Sequence, residues 1–187
     1  MCGCQICYKD EKDIHQQLII NGRPNYISFE KLSIINKQKE NNVCKIIKNE
    51  KSFGTGFFCL IPCPDKLNLL PALFTCNHVL GLEEIKPGKE IQLLLNDKEL
   101  KVIKIDENRK TYTSPQNEYD TTIIEIKNND GFNLNKILEI DYDIYEACPL
   151  NQLYRNKSIY IIHYHLGLNS SYSHDVIKNI DIDNIRI

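Results

Sequence analysis

The sequence has no run of about 18 apolar residues, so it offers no helix able to span a membrane. It has no surplus of charge either. With 23 basic and 25 acidic residues its net charge is -2, which gives nucleic acid or an anionic membrane no field to follow. The opening residues MCGCQICYKDEKD lack the apolar core of a secretory signal, and Cys2 stands where myristoylation needs glycine. The eight cysteines are therefore expected as reduced thiols in a cytoplasmic protein. Cys2, Cys4 and Cys7 lack a second C-x-x-C or a histidine pair to complete a zinc tetrahedron, so no metal and no other cofactor is assigned. Internal repeats and low-complexity linkers are absent as well.

What is present reads as an all-β domain behind a short leader. Residues 1–41 form the leader. Its SFEKLSIINKQKE segment sets Phe29, Leu32 and Ile35 at helical spacing behind Ser28, a capping residue, and Asn41 and Asn42 end the helix. Residues 42–187 follow as the β domain. VCKIIK reads as a strand, and Gly54 and Gly56 lie inside the next one, where a missing Cβ marks a kink or a close approach. PCPDKLN must be a loop because it holds two prolines. LLPALFT returns as a strand and delivers His78 at its end.

KPGKEIQLLLNDKELKVIKID reads as a hairpin turning at residues 96–98, with Ile91, Leu93, Leu100, Val102 and Ile105 inward. ENRKTYTSPQNE is a polar loop, and YDTTIIEIK is a strand beginning at Tyr119 and Asp120. ILEID, KSIYIIHYHLG and the tail HDVIKNIDIDNIRI supply further short strands, with loops at CPLNQLYRN and LNSSYS.

A histidine held at a strand end is placed to act as a general base if a carboxylate orients it and a nucleophile awaits it. The segments G-T-G-F-F, L-F-T-C-N-H-V-L and Y-D-T-T-I-I-E-I, in that order, resemble the trypsin-like serine peptidases, particularly the HtrA-like variant. The likeness runs from Cys44 to Gly167. It implies a chymotrypsin-like double β-barrel with the site in the cleft, His78 as the catalytic base, Asp120 as the acid that orients it, and a polypeptide substrate or peptide ligand.

The resemblance stops at the nucleophile. The family carries its serine in a G-x-S-G turn that also forms the oxyanion hole, and no such tetrapeptide follows Asp120. Ser170, Ser171 and Ser173 lack the flanking glycines, as does Cys148, and His165 stands where the family's proline precedes Gly167. The chain after Asp120 suffices for about four or five short strands. The expected architecture is thus a complete first barrel, an incomplete second barrel and the N-terminal helix. Such a chain is a serine endopeptidase domain that is inactive as it stands, prone to self-association through exposed strand edges. The alternative is a noncatalytic peptidase homologue that binds peptides or serves as an interaction module. A third reading draws metal ligands from His163, His165, Cys148 and His174, against which His163 and His165 are two polar residues on a strand rim.

Overall fold

In the computed structural model, which describes residues 28–48, 51–65, 67–115, 119–141, 154–164 and 168–178, helix α1 spans Phe29–Asn42. Ser28 caps it, accepting the Lys31 N–H at 3.2 Å, as a serine before a helical pattern should. One expectation needs correction. Phe29 is 92% exposed, so Ile35 is the apolar side chain that α1 buries. Asn41 and Asn42 end the helix as expected, each with a partner: the Asn41 side-chain amide donates to the Lys37 carbonyl, and the Asn42 side-chain carbonyl accepts the Leu138 N–H at 3.1 Å. That second bond ties the end of α1 to a segment far along the chain.

Among the described residues ten strands follow: β1 Val43–Lys48, β2 Lys51–Pro62, β3 Leu69–Thr75, β4 Glu90–Leu95, β5 Glu99–Lys104, β6 Thr111–Thr113, β7 Thr122–Glu125, β8 Leu138–Glu139, β9 Ser158–His163 and β10 Ser171–Val176. Seven of them pair antiparallel in the order β5-β4-β1-β2-β3-β7-β6 and curl into a half-barrel, with β8 added parallel to β2. Alternation drives the curl. The inner faces contribute Cys44, Ile46, Phe58, Leu73, Leu93, Ile103 and Ile124, each at most 1% exposed, so one side of β1, β2, β3, β4, β5 and β7 faces a shared core. Among the described residues no helix is long and apolar enough to cross a membrane.

The β4–β5 hairpin turns where expected, with Asn96 and Asp97 both in the left-handed region at φ 52° and 57°, a conformation these two residue types tolerate. Ile91, Leu93 and Ile105 face inward as expected, but Leu100 and Val102 do not. Ile91 pairs with Ile103 and Leu93 with Lys101, which sends Ile103 and Ile105 inward and leaves Leu100 and Val102 55% and 38% exposed. Both alternating sets are apolar, so only the pairing chooses the face. The polar stretch after β5 is not all loop either, because Thr111–Thr113 forms β6 on β7. β7 itself starts at Thr122, and Tyr119 and Asp120 precede it.

The described residues form a half-barrel whose terminal strands β5 and β6 are not paired with each other. A side chain spans this gap instead. Arg109 donates from Nε to the Lys104 carbonyl at 3.0 Å and from Nη1 to the Glu125 carbonyl at 2.7 Å. Its two terminal nitrogens also grip the Asp130 carboxylate at 2.7 and 2.8 Å. The side chains are 2% and 6% exposed.

Among the described residues after β8, the sheet structure is the hairpin β9–β10, which takes in Ser171 and Ser173 from the segment expected to be a loop. The Tyr164 N–H donates to Thr55 Oγ1 at 2.8 Å, and the Lys45 ammonium lies 5.1 Å from the Tyr164 ring centre. Asp97 sits beside Lys45 and Lys39, at 3.6 Å from each, and accepts from Ser170 Oγ at 3.3 Å. Burial, with the negative charge of Asp97, pushes the Tyr164 hydroxyl up to about 12.

If Arg109 joins the two ends of the sheet, Arg109→Ala strands the Asp130 carboxylate and two carbonyls and should cost about 3–5 kcal/mol. Urea unfolding measures this. A loss below about 1 kcal/mol would show that the sheet ends do not depend on it.

Candidate functional site

The stretch around His78 is a turn whose neighbours are anchored while the histidine is not. Val79 and Leu80 are each 3% exposed, and their N–H groups both donate to the Cys76 carbonyl at 3.1 Å. His78, between the two halves of that turn, is exposed, with 63% of its side chain accessible. Apolar side chains on either side of the core thus fix the backbone that presents the imidazole.

Gly54 is part of this arrangement. A Cβ there would lie 2.6 Å from Val79 Cγ2 and 2.9 Å from Val79 Cγ1, and one at Gly56 would lie 2.8 Å from Leu73 Cδ1. The glycines of G-T-G-F are therefore a close approach, as their position in a strand suggested. The pairing of β1 with β2 shifts just beside them, between Ile46 and Ile47. Thr55, between the glycines, accepts the Thr75 hydroxyl on its carbonyl at 2.9 Å, which fastens the last residue of β3.

Asp120 arrives from the other side. The loop between β6 and β7 is pinned by Ser114 N–H to the Thr121 carbonyl at 2.8 Å and by Thr121 N–H to Ser114 Oγ at 3.1 Å. It is then fastened to the histidine turn by the Asn77 amide on the Ser114 carbonyl at 2.7 Å. The buried Thr122 hydroxyl adds a bond to the Leu80 carbonyl at 2.7 Å. Within this frame one Asp120 oxygen accepts the His78 main-chain N–H at 2.9 Å, and the other meets His78 Nδ1 at 2.5 Å. The two residues singled out by sequence are thus in direct contact.

Burial pushes the Asp120 carboxyl up, but the His78 N–H, the His78 ring with its charge and the Asn77 N–H together outweigh it and hold the group below its ordinary value. A carboxylate so held stays ionised and keeps the Nδ1 proton pointed at itself, which leaves Nε2 of an exposed ring for another group.

Sequence reasoning missed Cys76. Its Sγ, a ring nitrogen of His78 and a carboxylate oxygen of Asp120 all lie within 4.8 Å of one another. The signal was present in T-C-N-H, where residues two apart on a strand end can return to the same side. Asn77, Thr122 and Ser114 were missed as well, because their roles depend on a loop that no local pattern places.

The serines Ser170, Ser171 and Ser173 are elsewhere. Ser171 and Ser173 each lie 3.3 Å from His163 Nε2 across the β9–β10 hairpin, and Ser170 bonds Asp97. His174 stacks on Tyr160 at 4.9 Å, so the described histidines of the hairpin do not converge. Cys2, Cys4, Cys7, Cys148, His165 and Gly167 lie outside the described residues. The described cysteines Cys44, Cys59, Cys63 and Cys76 are not joined in disulfides. Burial pushes the Cys44 thiol up, which makes it inert, and does the same for Cys59 with help from Glu139. A cleft of about 430 Å³ between Ile47, Glu84 and Gln92 includes neither His78 nor Asp120. No family model matches the chain, and no curated protein or solved structure does so either.

Two outcomes follow from this geometry. Because the Asp120 carboxyl is depressed in the folded state, its contribution is complete above the unfolded value of about 3.9 and is lost as pH falls through the lower folded value. Unfolding curves taken between about pH 6 and pH 2 should therefore show Asp120→Asn losing less stability on acidification than the wild type. Parallel curves would mean that the carboxyl is not held down. Gly54→Ala should cost about 1–3 kcal/mol through its clash with Val79 and should shift the His78 amide resonance. A Gly54→Ala protein of unchanged stability would remove the glycine from the support of the turn.

Proposed function

We propose that this chain is a trypsin-like, HtrA-related serine endopeptidase domain in which His78 is the base and Asp120 the acid that orients it. The chemistry is peptide-bond hydrolysis in a cleft beside a β-barrel, and the chain is inactive as it stands because its sequence holds no G-x-S-G after Asp120. One observation carries the reading. Asp120 takes both the main-chain N–H and Nδ1 of His78, a two-point grip that fixes the ring's orientation and its tautomer together, as a base of this kind requires. An accidental surface ion pair needs only one contact and no frame of buried threonine and asparagine bonds behind it.

In the complete mechanism Nε2 would accept the nucleophile's proton and return it to the leaving amine, while Asp120 stabilises the imidazolium. Without the nucleophile and its turn, about six powers of ten in turnover are lost. A second reading, a noncatalytic peptide-binding module, is favoured by the exposed Ile159 and Ile161 on one face of the β9–β10 hairpin, 39% and 55% accessible.

A quenched-fluorescence casein assay on the 187-residue chain should give no turnover above that of His78→Ala. Turnover that His78→Ala abolishes would overturn the inactive assignment. Proton NMR tests the dyad independently, with a far-downfield Nδ1–H resonance expected in the wild type and lost in Asp120→Asn. If that resonance is absent and a labelled extended peptide binds the wild type but not Ile161→Asp, the noncatalytic reading takes its place.

A further inference from the structure

We propose that Cys76, His78 and Asp120 form a binding site for one divalent cation of the zinc class. The three donors are a thiol, an imidazole and a carboxylate, the combination that borderline-soft tetrahedral ions take and that calcium and magnesium do not. Their donor atoms lie within 4.8 Å of one another. Around zinc, bonds of about 2.0–2.3 Å would set neighbouring donors roughly 3.3–3.6 Å apart. Gathering them therefore asks for about 1 Å of side-chain adjustment, which rotation at Cys76 and a small opening of the His78–Asp120 pair supply.

The backbone that carries the donors is already fixed. The Cys76 carbonyl accepts two N–H groups, the loop of Asp120 is tied to Asn77, and the His78 N–H occupies Asp120 Oδ1. Oδ2 is then the oxygen that faces Nδ1 and the ion. Cys76 is half-buried and the histidine side exposed, so the cation has an approach from solvent and its fourth position is open to water. On binding, the proton between Nδ1 and Oδ2 moves to Nε2 and the thiol proton leaves to solvent. No redox change is involved.

This site depends only on the three donors and holds whether or not the chain descends from a peptidase. Where it does, an ion at Nδ1 and Oδ2 displaces the contact that orients the base and, with the proton on Nε2, leaves the ring unable to accept another.

The test is a cobalt(II) titration under a non-thiol reductant, using the chain with Cys2, Cys4 and Cys7 replaced by serine so that these thiols do not compete. One equivalent should bind with a thiolate-to-cobalt charge-transfer band and the strong visible bands of four-coordinate cobalt, and zinc should bleach both. Cys76→Ser should erase the charge-transfer band. His78→Ala and Asp120→Asn should each weaken binding at least about ten-fold. Failure to bind one equivalent, or a band that survives Cys76→Ser, overturns the site. If Cys76→Ser does not fold, His78→Ala decides, because its side chain lies largely in solvent: unchanged cobalt affinity in a folded His78→Ala protein equally overturns it. The readout is optical and is indifferent to whether any peptide is cleaved.

Discussion

A guanidinium bridges the two ends of the half-barrel. Its two end strands make no hydrogen bonds to each other, and Arg109 reaches from the carbonyl of Lys104 on one to that of Glu125 near the other, locked by the Asp130 carboxylate. A pair as buried as this gains little net energy against the cost of taking both charges out of water. What it supplies is geometry, since a planar fork with four donors in use tolerates little movement. It holds the two ends of the curl together, while β7, and with it the loop that precedes it, is placed by its pairing with β3.

The site inherits its precision from that placement. His78 leaves the end of β3 and Asp120 precedes the start of β7, and β3 and β7 are paired from Ala72 with Glu125 to Thr75 with Thr122. Two residues that adjoin the same end of a paired ladder are brought close by register alone. The remaining distance is spanned by Thr122, Asn77 and Ser114, which are polar groups with short bonds to main-chain atoms. Exposure of the imidazole is compatible with this rigidity because the turn is held by Val79 and Leu80, not by the histidine itself. That division of labour lets a reactive group remain in solvent without being loose.

Much of this could be read from residues whose local chemistry agrees with their tertiary setting. The strand Val43–Lys48, the strand Leu69–Thr75 and the Ser28 cap all match their patterns, and the pairing of His78 with Asp120 was visible through the flanking motifs. The inner face of β5 was not, because Leu100 and Val102 are as apolar as Ile103 and Ile105, and register is a property of the partner strand. Phe29 failed for a related reason: its helical spacing is correct, but no described residue covers it. β6 was hidden because threonine and tyrosine in a polar stretch read equally as loop. Cys76 escaped notice since a thiol beside an apolar run reads as packing until a carboxylate from a distant loop arrives next to it.

The contact of Lys45 with Asp97 and with the Tyr164 ring has a bearing on how the hairpin sits. Apolar surfaces slide over one another at small cost, whereas a cation placed between a carboxylate and an aromatic face recognises one position only. A slip of two residues along the chain would set Ile162 over the ammonium, and the Tyr164 N–H would lose Thr55 Oγ1 as its acceptor. The joint therefore acts as a key: it adds little grip, but it admits the β9–β10 hairpin in a single alignment.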